Sequence, residues 1–252
     1  MAIRINAADG VGEVVIDNPP VNALDSAGWF EFASGLKDLG GRSDVNCVVI
    51  RAEGRGFQAG VDIKELAEDA TKIVDVNRGC YDTFAAIYDC PVPVISAVHG
   101  YCIGGGIGIS GASDIVIASE DATFSLPEID RGALGAATHL MRLFGMQKTR
   151  WMLYTGEAID SQEALRLGGV QSVVPRDKLR DEAMALARTI ASKSPKALRL
   201  AKWSLNGIET LDVKKSYRFE QGLTLELYTS PDSQEARAAF LEKRDADFDE
   251  KS

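Results

Sequence analysis

The chain has 252 residues, 45% of them apolar, and a formal charge of −9. That is one large domain or two small ones with ample core material. The negative charge excludes attraction to phosphate backbones or anionic bilayers, so neither nucleic acid nor membrane is an expected partner. Four cysteines (Cys47, Cys80, Cys90 and Cys102) form no C-x-x-C pair, which argues for buried reduced thiols, no metal centre and a cytoplasmic setting.

In chain order, Ile3–Asn6 and Gly12–Asp17 read as short strands around a turn at Ala8-Asp9-Gly10. Asn18-Pro19-Pro20-Val21-Asn22 interrupts the pattern, and Asp25 or Ser26 then caps a helix to about Leu39, stopped by Gly40-Gly41. Asn46–Arg51 is a buried strand feeding a loop that carries Gly54, Gly56 and Gly60. Asp62 followed by Glu65 has capping-box spacing, so a helix starts there and the Val61 N–H stands at its mouth. Ile73, Val76, Cys80, Phe84 and Ile87 form one face of a helix from about Thr71 to Asp89, read as core. Val92–Val98 is a strand, followed by Gly104-Gly105-Gly106, a short helix and a second strand at Asp114–Ala118. Helices are expected over Ala136–Phe144, Gln147–Tyr154 and Ser161–Leu167, and a last strand over Gln171–Val174. From Asp177 the chain is helical: Leu179–Ser192, Pro195–Asn206, Leu211–Tyr228 and Ser233–Asp247, ending in an acidic, solvated finish. Ser194-Pro195 marks a joint between an α/β body, residues 1–194, and a helical region, residues 195–252.

The chemistry concentrates between Val92 and Glu128. Three consecutive glycines lose more backbone entropy on ordering than any other residues, so they belong where backbone must approach a ligand closely. A helix starting there offers free amides and the positive end of its dipole. Gly106-Ile107-Gly108-Ile109-Ser110-Gly111 also fits the dinucleotide fingerprint, but the next strand begins at Asp114 and its end carries Glu120, leaving only about two turns of helix where that motif opens a full one. That reading fails on length. Amide donors followed by an acid, Glu128, suit enolate chemistry.

Four segments carry a resemblance: NPPVNAL (18–24), GFQAGVDIKE (56–65), HGYCIGGGIG (99–108) and FSLPEIDRG (124–132), with FLEKRDADF (240–248) resembling a C-terminal signature. In order and spacing they resemble the crotonase, or enoyl-CoA hydratase/isomerase, superfamily over essentially the whole chain. The resemblance implies an α/β spiral of ββα turns and a C-terminal helical trimerisation region. It further implies a homotrimer or dimer of trimers, an acyl-CoA substrate, and no cofactor beyond the coenzyme A of that substrate. Carried over by position, the amides of Val61 and Gly105 form an oxyanion hole and Glu128 is the acid–base. Val21, Ala23, Ala59 and Lys64 lie along the CoA, and Phe240 and Lys243 reach it from the tail of the same or a neighbouring subunit.

The sequence departs from the hydratase pattern at Gly108, where the family's second glutamate would stand. Adding water across a double bond normally uses two carboxylates, so plain hydration is disfavoured, and Gly108 is expected to open the pocket wall for a bulky acyl group. RAEGRGFQAGVDIKE, NRGC (77–80), GGGIG and RGALGAATHL (131–140) resemble a ring-opening branch of the superfamily that hydrolyses a carbon–carbon bond in a CoA thioester during bacterial cholesterol catabolism. A conventional hydratase, a double-bond isomerase and a non-catalytic CoA-thioester scaffold are the competing readings. Arg131 could position water or a polar ring substituent, although an ion pair with Asp130 is the plainer expectation. His139, His99, Tyr101 and Cys102 read as packing residues.

Overall fold

The computed structural model describes residues 2–210 and 212–246. The chain opens with a hairpin of β1 (Ile3–Ala8) and β2 (Val11–Ile16), antiparallel with Ile3 opposite Ile16. Its turn residues Asp9 and Gly10 both take positive φ, 52° and 78°, as a two-residue turn matched to strand twist requires. β3 (Cys47–Ala52), β4 (Val94–Val98), β6 (Ile115–Ser119) and β9 (Ser172–Val174) then add in parallel, giving the order β1-β2-β3-β4-β6-β9. A second, small sheet joins β5 (Tyr101–Ile103), β7 (Thr123–Ser125) and β8 (Ile159–Asp160).

Strands β2, β3, β4 and β6 are buried on both faces, which is why they read as near-continuous apolar runs. One face, with Val14, Ile16, Val48, Ile50, Val94 and Val98, packs on α1 (Ser26–Gly41) and α3 (Ile73–Tyr88). The other, with Cys47, Val49, Ile95, Ala97 and Ile117, is closed by Leu179, Ala183 and Ala187 of α7 (Leu179–Ala191). Between these elements run α2 (Ile63–Glu68), α4 (Gly105–Ala112), α5 (Ala137–Thr155) and α6 (Ser161–Arg166). The C-terminal helices are α8 (Pro195–Ile208), α9 (Val213–Tyr228) and α10 (Pro231–Glu242). α9 lies on α3 and α5, while α10 lies on the 3₁₀ turn Pro127–Arg131.

The expected elements recur with three differences. β5, β7 and β8 have only two or three residues each, too few to show an alternating pattern. The two helices expected over 136–154 run together, interrupted where Gly145 takes φ 72° and ψ 167°. Asp62 does cap α2 through the Lys64 amide, but Glu65 does not reach back to complete the box. It accepts instead from the Ser26 amide and hydroxyl at 2.8 and 2.6 Å, tying α2 to the start of α1. On α9, Phe219 and Leu223, four residues apart on one side of the helix, are 72% and 42% exposed. The end of the last expected helix and the acidic finish lie outside the described residues. Among the described residues, no helix is long and apolar enough to cross a membrane.

Candidate active site

Two backbone loops and one carboxyl group meet at the N-terminus of α4. The first loop follows β3 and is drawn into shape by Gln58, a fully buried amide. Its Nε2 donates to the Gly60 carbonyl at 2.6 Å while its Oε1 accepts from the Gly60 amide at 2.7 Å. The Gln58 carbonyl also accepts from the Ile103 amide, so one residue fixes both loops. Leu24 donates to the Gly60 carbonyl, and Asp62 donates to the Leu24 carbonyl, which leaves the Val61 amide between them unbonded. The second loop ends at Gly104, whose φ of 56° and ψ of −106° suit glycine, and Gly105 opens α4 with its amide unused by the helix. A Cβ built on Gly60 would lie 3.7 Å from the Gly105 nitrogen, so the two loops are neighbours.

Glu128 sits in the 3₁₀ turn against this pair. A Cβ on Gly104 would fall 2.1 Å from its Oε1, and one on Gly135 would fall 3.0 Å from its Cγ. Its Oε2 is shielded from solvent and has no hydrogen-bond partner. Burial therefore pushes the carboxyl up to about 7, against modest opposition from its own backbone amide and from the Arg131 charge. Free amides beside a poised carboxyl can stabilise an oxyanion and move a proton.

Glu128 and Val61 stand where two cavities join. The outer one is lined by Ala59, Val61, Arg131, Tyr228, Arg237 and Phe240 among others. The inner one is bordered by Val61, Gly105, Asn77, Cys80, Tyr217 and Tyr228 among others. Of the residues anticipated from sequence, Glu128, Val61, Gly105, Ala59, Arg131 and Phe240 are thus brought together.

The remaining ones fall elsewhere. Gly108 does not widen the pocket: a Cβ there would lie 2.0 Å from Phe84 Cζ, because the Phe84 ring fills that volume. Lys64 is exposed on α2, and Lys243 is the left-handed C-cap of α10; neither borders either of these two cavities. Val21 and Ala23 belong to a loop held by Asn22, which donates to the Glu53 and Gly56 carbonyls, and by Asn18, which donates to the Ala23 carbonyl; they flank the first loop without lining either cavity. Arg131 does not pair with Asp130, since its guanidinium lies 4.8 Å from the Phe240 ring centre. The α3 stripe is more than core, because Ile73, Val76, Cys80 and Phe84 form the wall of the inner cavity.

His139 packs as expected, edge-on to Phe84 and Tyr217, with burial pushing it down to about 3 so that it stays neutral. Sequence reasoning missed Gln58, Asn77, Tyr217 and Tyr228, which become site residues only through tertiary contacts. It also missed Glu220, which accepts from the Ala137 and Thr138 amides and caps α5 from outside the helix. Burial pushes Glu220 up to about 7 as well.

Among the described residues there is no cluster of three or more histidine, cysteine or acidic groups that could hold a metal ion. The family model for enoyl-CoA hydratase/isomerase matches residues 6–251. The chain is 51% identical over 236 residues to a (7aS)-7a-methyl-1,5-dioxo-2,3,5,6,7,7a-hexahydro-1H-indene-carboxyl-CoA hydrolase of Rhodococcus jostii, covering 93% of this chain and 92% of the other. It is 49% identical to the hydrolase of the same description from Mycobacterium tuberculosis, covering 93% and 96%. Among solved structures, an enoyl-CoA hydratase of Mycobacterium avium subsp. paratuberculosis superposes with a TM-score of 0.88 at 26% identity, covering 99% of both chains. The chain, an α/β fold closed by C-terminal helices around a two-loop amide site, belongs to the enoyl-CoA hydratase/isomerase, or crotonase, family.

Proposed function

We propose that this enzyme opens a ring of a bulky cyclic keto-acyl-CoA in steroid degradation by hydrolysing a carbon–carbon bond, with Glu128 as acid–base and the amides of Val61 and Gly105 as oxyanion hole. The observation that carries this reading is that Glu128 is the only carboxylate, among the described residues, bordering either cavity. The place of a second one is taken by Gly108 with Phe84 packed over it. The half-identical relatives described as hydrolases of a bicyclic dione thioester support the same choice.

A retro-Claisen cleavage needs only one carboxylate. Ionised Glu128 takes a proton from water as the water oxygen bonds to a ring ketone carbon. The adduct re-forms its carbonyl as a carboxylic acid, and the neighbouring C–C bond breaks. Its electron pair moves into the conjugated thioester, placing negative charge on the thioester oxygen. Val61 and Gly105 hold that charge; each such donor is worth about 2.7–4 kcal/mol of barrier. Glu128 then returns its proton to the carbon that left. No electrons are gained or lost.

The CoA lies, on this reading, along the loops carrying Val21, Ala23 and Ala59, with Arg131 and Phe240 at the outer cavity and the acyl rings in the inner one. The assembly is a homotrimer or a pair of trimers, which would cover the exposed apolar residues of α8: Leu200, Trp203, Leu205 and Ile208. The test is product analysis by mass after incubation with the bicyclic dione thioester and, separately, with crotonyl-CoA. Gain of one water with appearance of a new carboxylate supports ring opening. Rapid hydration of crotonyl-CoA with an untouched dione would replace this reading by an ordinary hydratase.

A further inference from the structure

Tyr228 is the last residue of α9, and it borders both the outer and the inner cavity, as Glu128 does. The residue is only 7% exposed, and its hydroxyl is a shielded polar atom without a hydrogen-bond partner. A phenol buried without a partner forgoes a hydrogen bond that water would have supplied, and such groups are few in folded proteins. The ring is held in place. The Arg237 guanidinium lies 4.0 Å from its centroid, and Arg237 Nη1 donates to the Tyr228 carbonyl at 3.3 Å. Arg237 is anchored in turn by Ser233, whose hydroxyl donates to the Gly132 carbonyl four residues beyond Glu128. Tyr228 and the turn carrying Glu128 are therefore fixed to each other through α10.

The two unpartnered groups match what the proposed reaction requires beyond the amide pair. When water adds to a ring ketone, charge develops at two separate oxygens in succession: first the ketone oxygen, then the thioester oxygen. Val61 and Gly105 serve the second. The first needs a donor of its own, on the wall shared by the two cavities and close to the base. We propose that the Tyr228 hydroxyl is that donor, a catalytic residue that binds the ring ketone and stabilises its oxyanion as water adds. In this step the water O–H bond breaks toward Glu128 and the C–O bond forms. The carbonyl π pair moves to the ketone oxygen, which Tyr228 O–H holds until the C–C bond breaks. The neighbouring Arg237 charge strengthens the phenol as a donor. This assignment rests on the ring-opening reading.

The experiment compares wild type with Tyr228→Phe on the bicyclic dione thioester, and measures the affinity of both for the thioester of the same bicycle lacking the ketones. Phenylalanine keeps the ring under Arg237, so packing is preserved. The expected result is a fall in kcat of about 10²–10³-fold, as for loss of one oxyanion donor, with affinity for the ketone-free thioester unchanged. A Tyr228→Phe enzyme with kcat within threefold of wild type overturns the assignment while leaving the ring-opening reading intact. Equal losses of kcat and of ketone-free affinity overturn it in favour of a packing role. A wild type that does not turn over the dione at all defeats the underlying reading instead.

Discussion

Gly104 and Glu128 are matched face to face: the carboxylate occupies the space a side chain at Gly104 would need, with an added Cβ only 2.1 Å from Oε1. The glycine thus does two jobs, turning the chain into α4 and leaving room for the carboxyl group over the free amides. Gly104→Ala should push the carboxylate aside and place a methyl-bearing residue at φ 56°, ψ −106°. We expect turnover to fall by at least about 10²-fold and unfolding free energy to drop by about 1–3 kcal/mol. Chemical denaturation alongside a rate measurement separates the two effects.

The protonation of Glu128 sets the pH behaviour. With the carboxyl pushed up to about 7, it is half-ionised there, and only the ionised form accepts a proton from water. The kcat/KM should fall with unit slope below about pH 7. Stability runs the other way. The folded-state value lies above the ordinary one of 4.5, so this contribution is fully present below about 4.5 and is lost as pH rises through about 7, by an amount on the order of 3 kcal/mol. Glu128→Gln should therefore melt higher than wild type at about pH 8 and lose that advantage at about pH 4. Melting curves at the two pH values check the sign.

Restoring a glutamate at Gly108 should not create a hydratase. Phe84 Cζ lies 2.0 Å from where the new Cβ would be, and Phe84 is itself locked against Trp29, His139 and Tyr217. We expect Gly108→Glu to destabilise the fold by about 1–3 kcal/mol from overpacking alone and to gain no crotonyl-CoA hydration. A well-folded variant with hydratase activity would show that the Phe84 wall is soft.

Gln58 should behave as a positioning residue. It shapes the Gly60–Val61 backbone without bordering either cavity. Gln58→Leu removes both hydrogen bonds and is expected to lower kcat by about 10–10³-fold through misplacement of one oxyanion donor. The apparent pKa seen in kcat/KM should stay where it is, because the surroundings of Glu128 are untouched. A shifted pH profile would show that Gln58 acts on the carboxyl group instead.

What could be read in advance follows the range of the interactions involved. Caps and glycine turns are local, so Asp25, Asp62, the Asp9-Gly10 turn and the Gly104 corner were legible from neighbouring residues alone. Glu65 shows the limit: its spacing from Asp62 fits a capping box, yet Ser26, distant in sequence, offers two donors and takes it. Gly108 failed for the same reason. An absent side chain reads as space only until the neighbour that fills it, Phe84 from another helix, is known. Tyr228 carries no motif, and Asn77, although it opens the NRGC segment, has no role readable there; the packing of α9 on α3 brings both to the cavity. Gln221 shows that packing directly, donating to the Asn77 carbonyl and to its Oδ1 at 2.7 Å.

In the proposed reaction one carboxyl group, Glu128, moves the proton at a site built from backbone amides. The direct measurement is turnover of the bicyclic dione thioester by Glu128→Gln, beside its affinity for the ketone-free thioester. The expected result is a loss of about 10²–10⁴-fold in kcat with affinity retained, since the amides and both cavities remain. A Glu128→Gln enzyme that turns over within a few-fold of wild type would contradict it and place the base elsewhere.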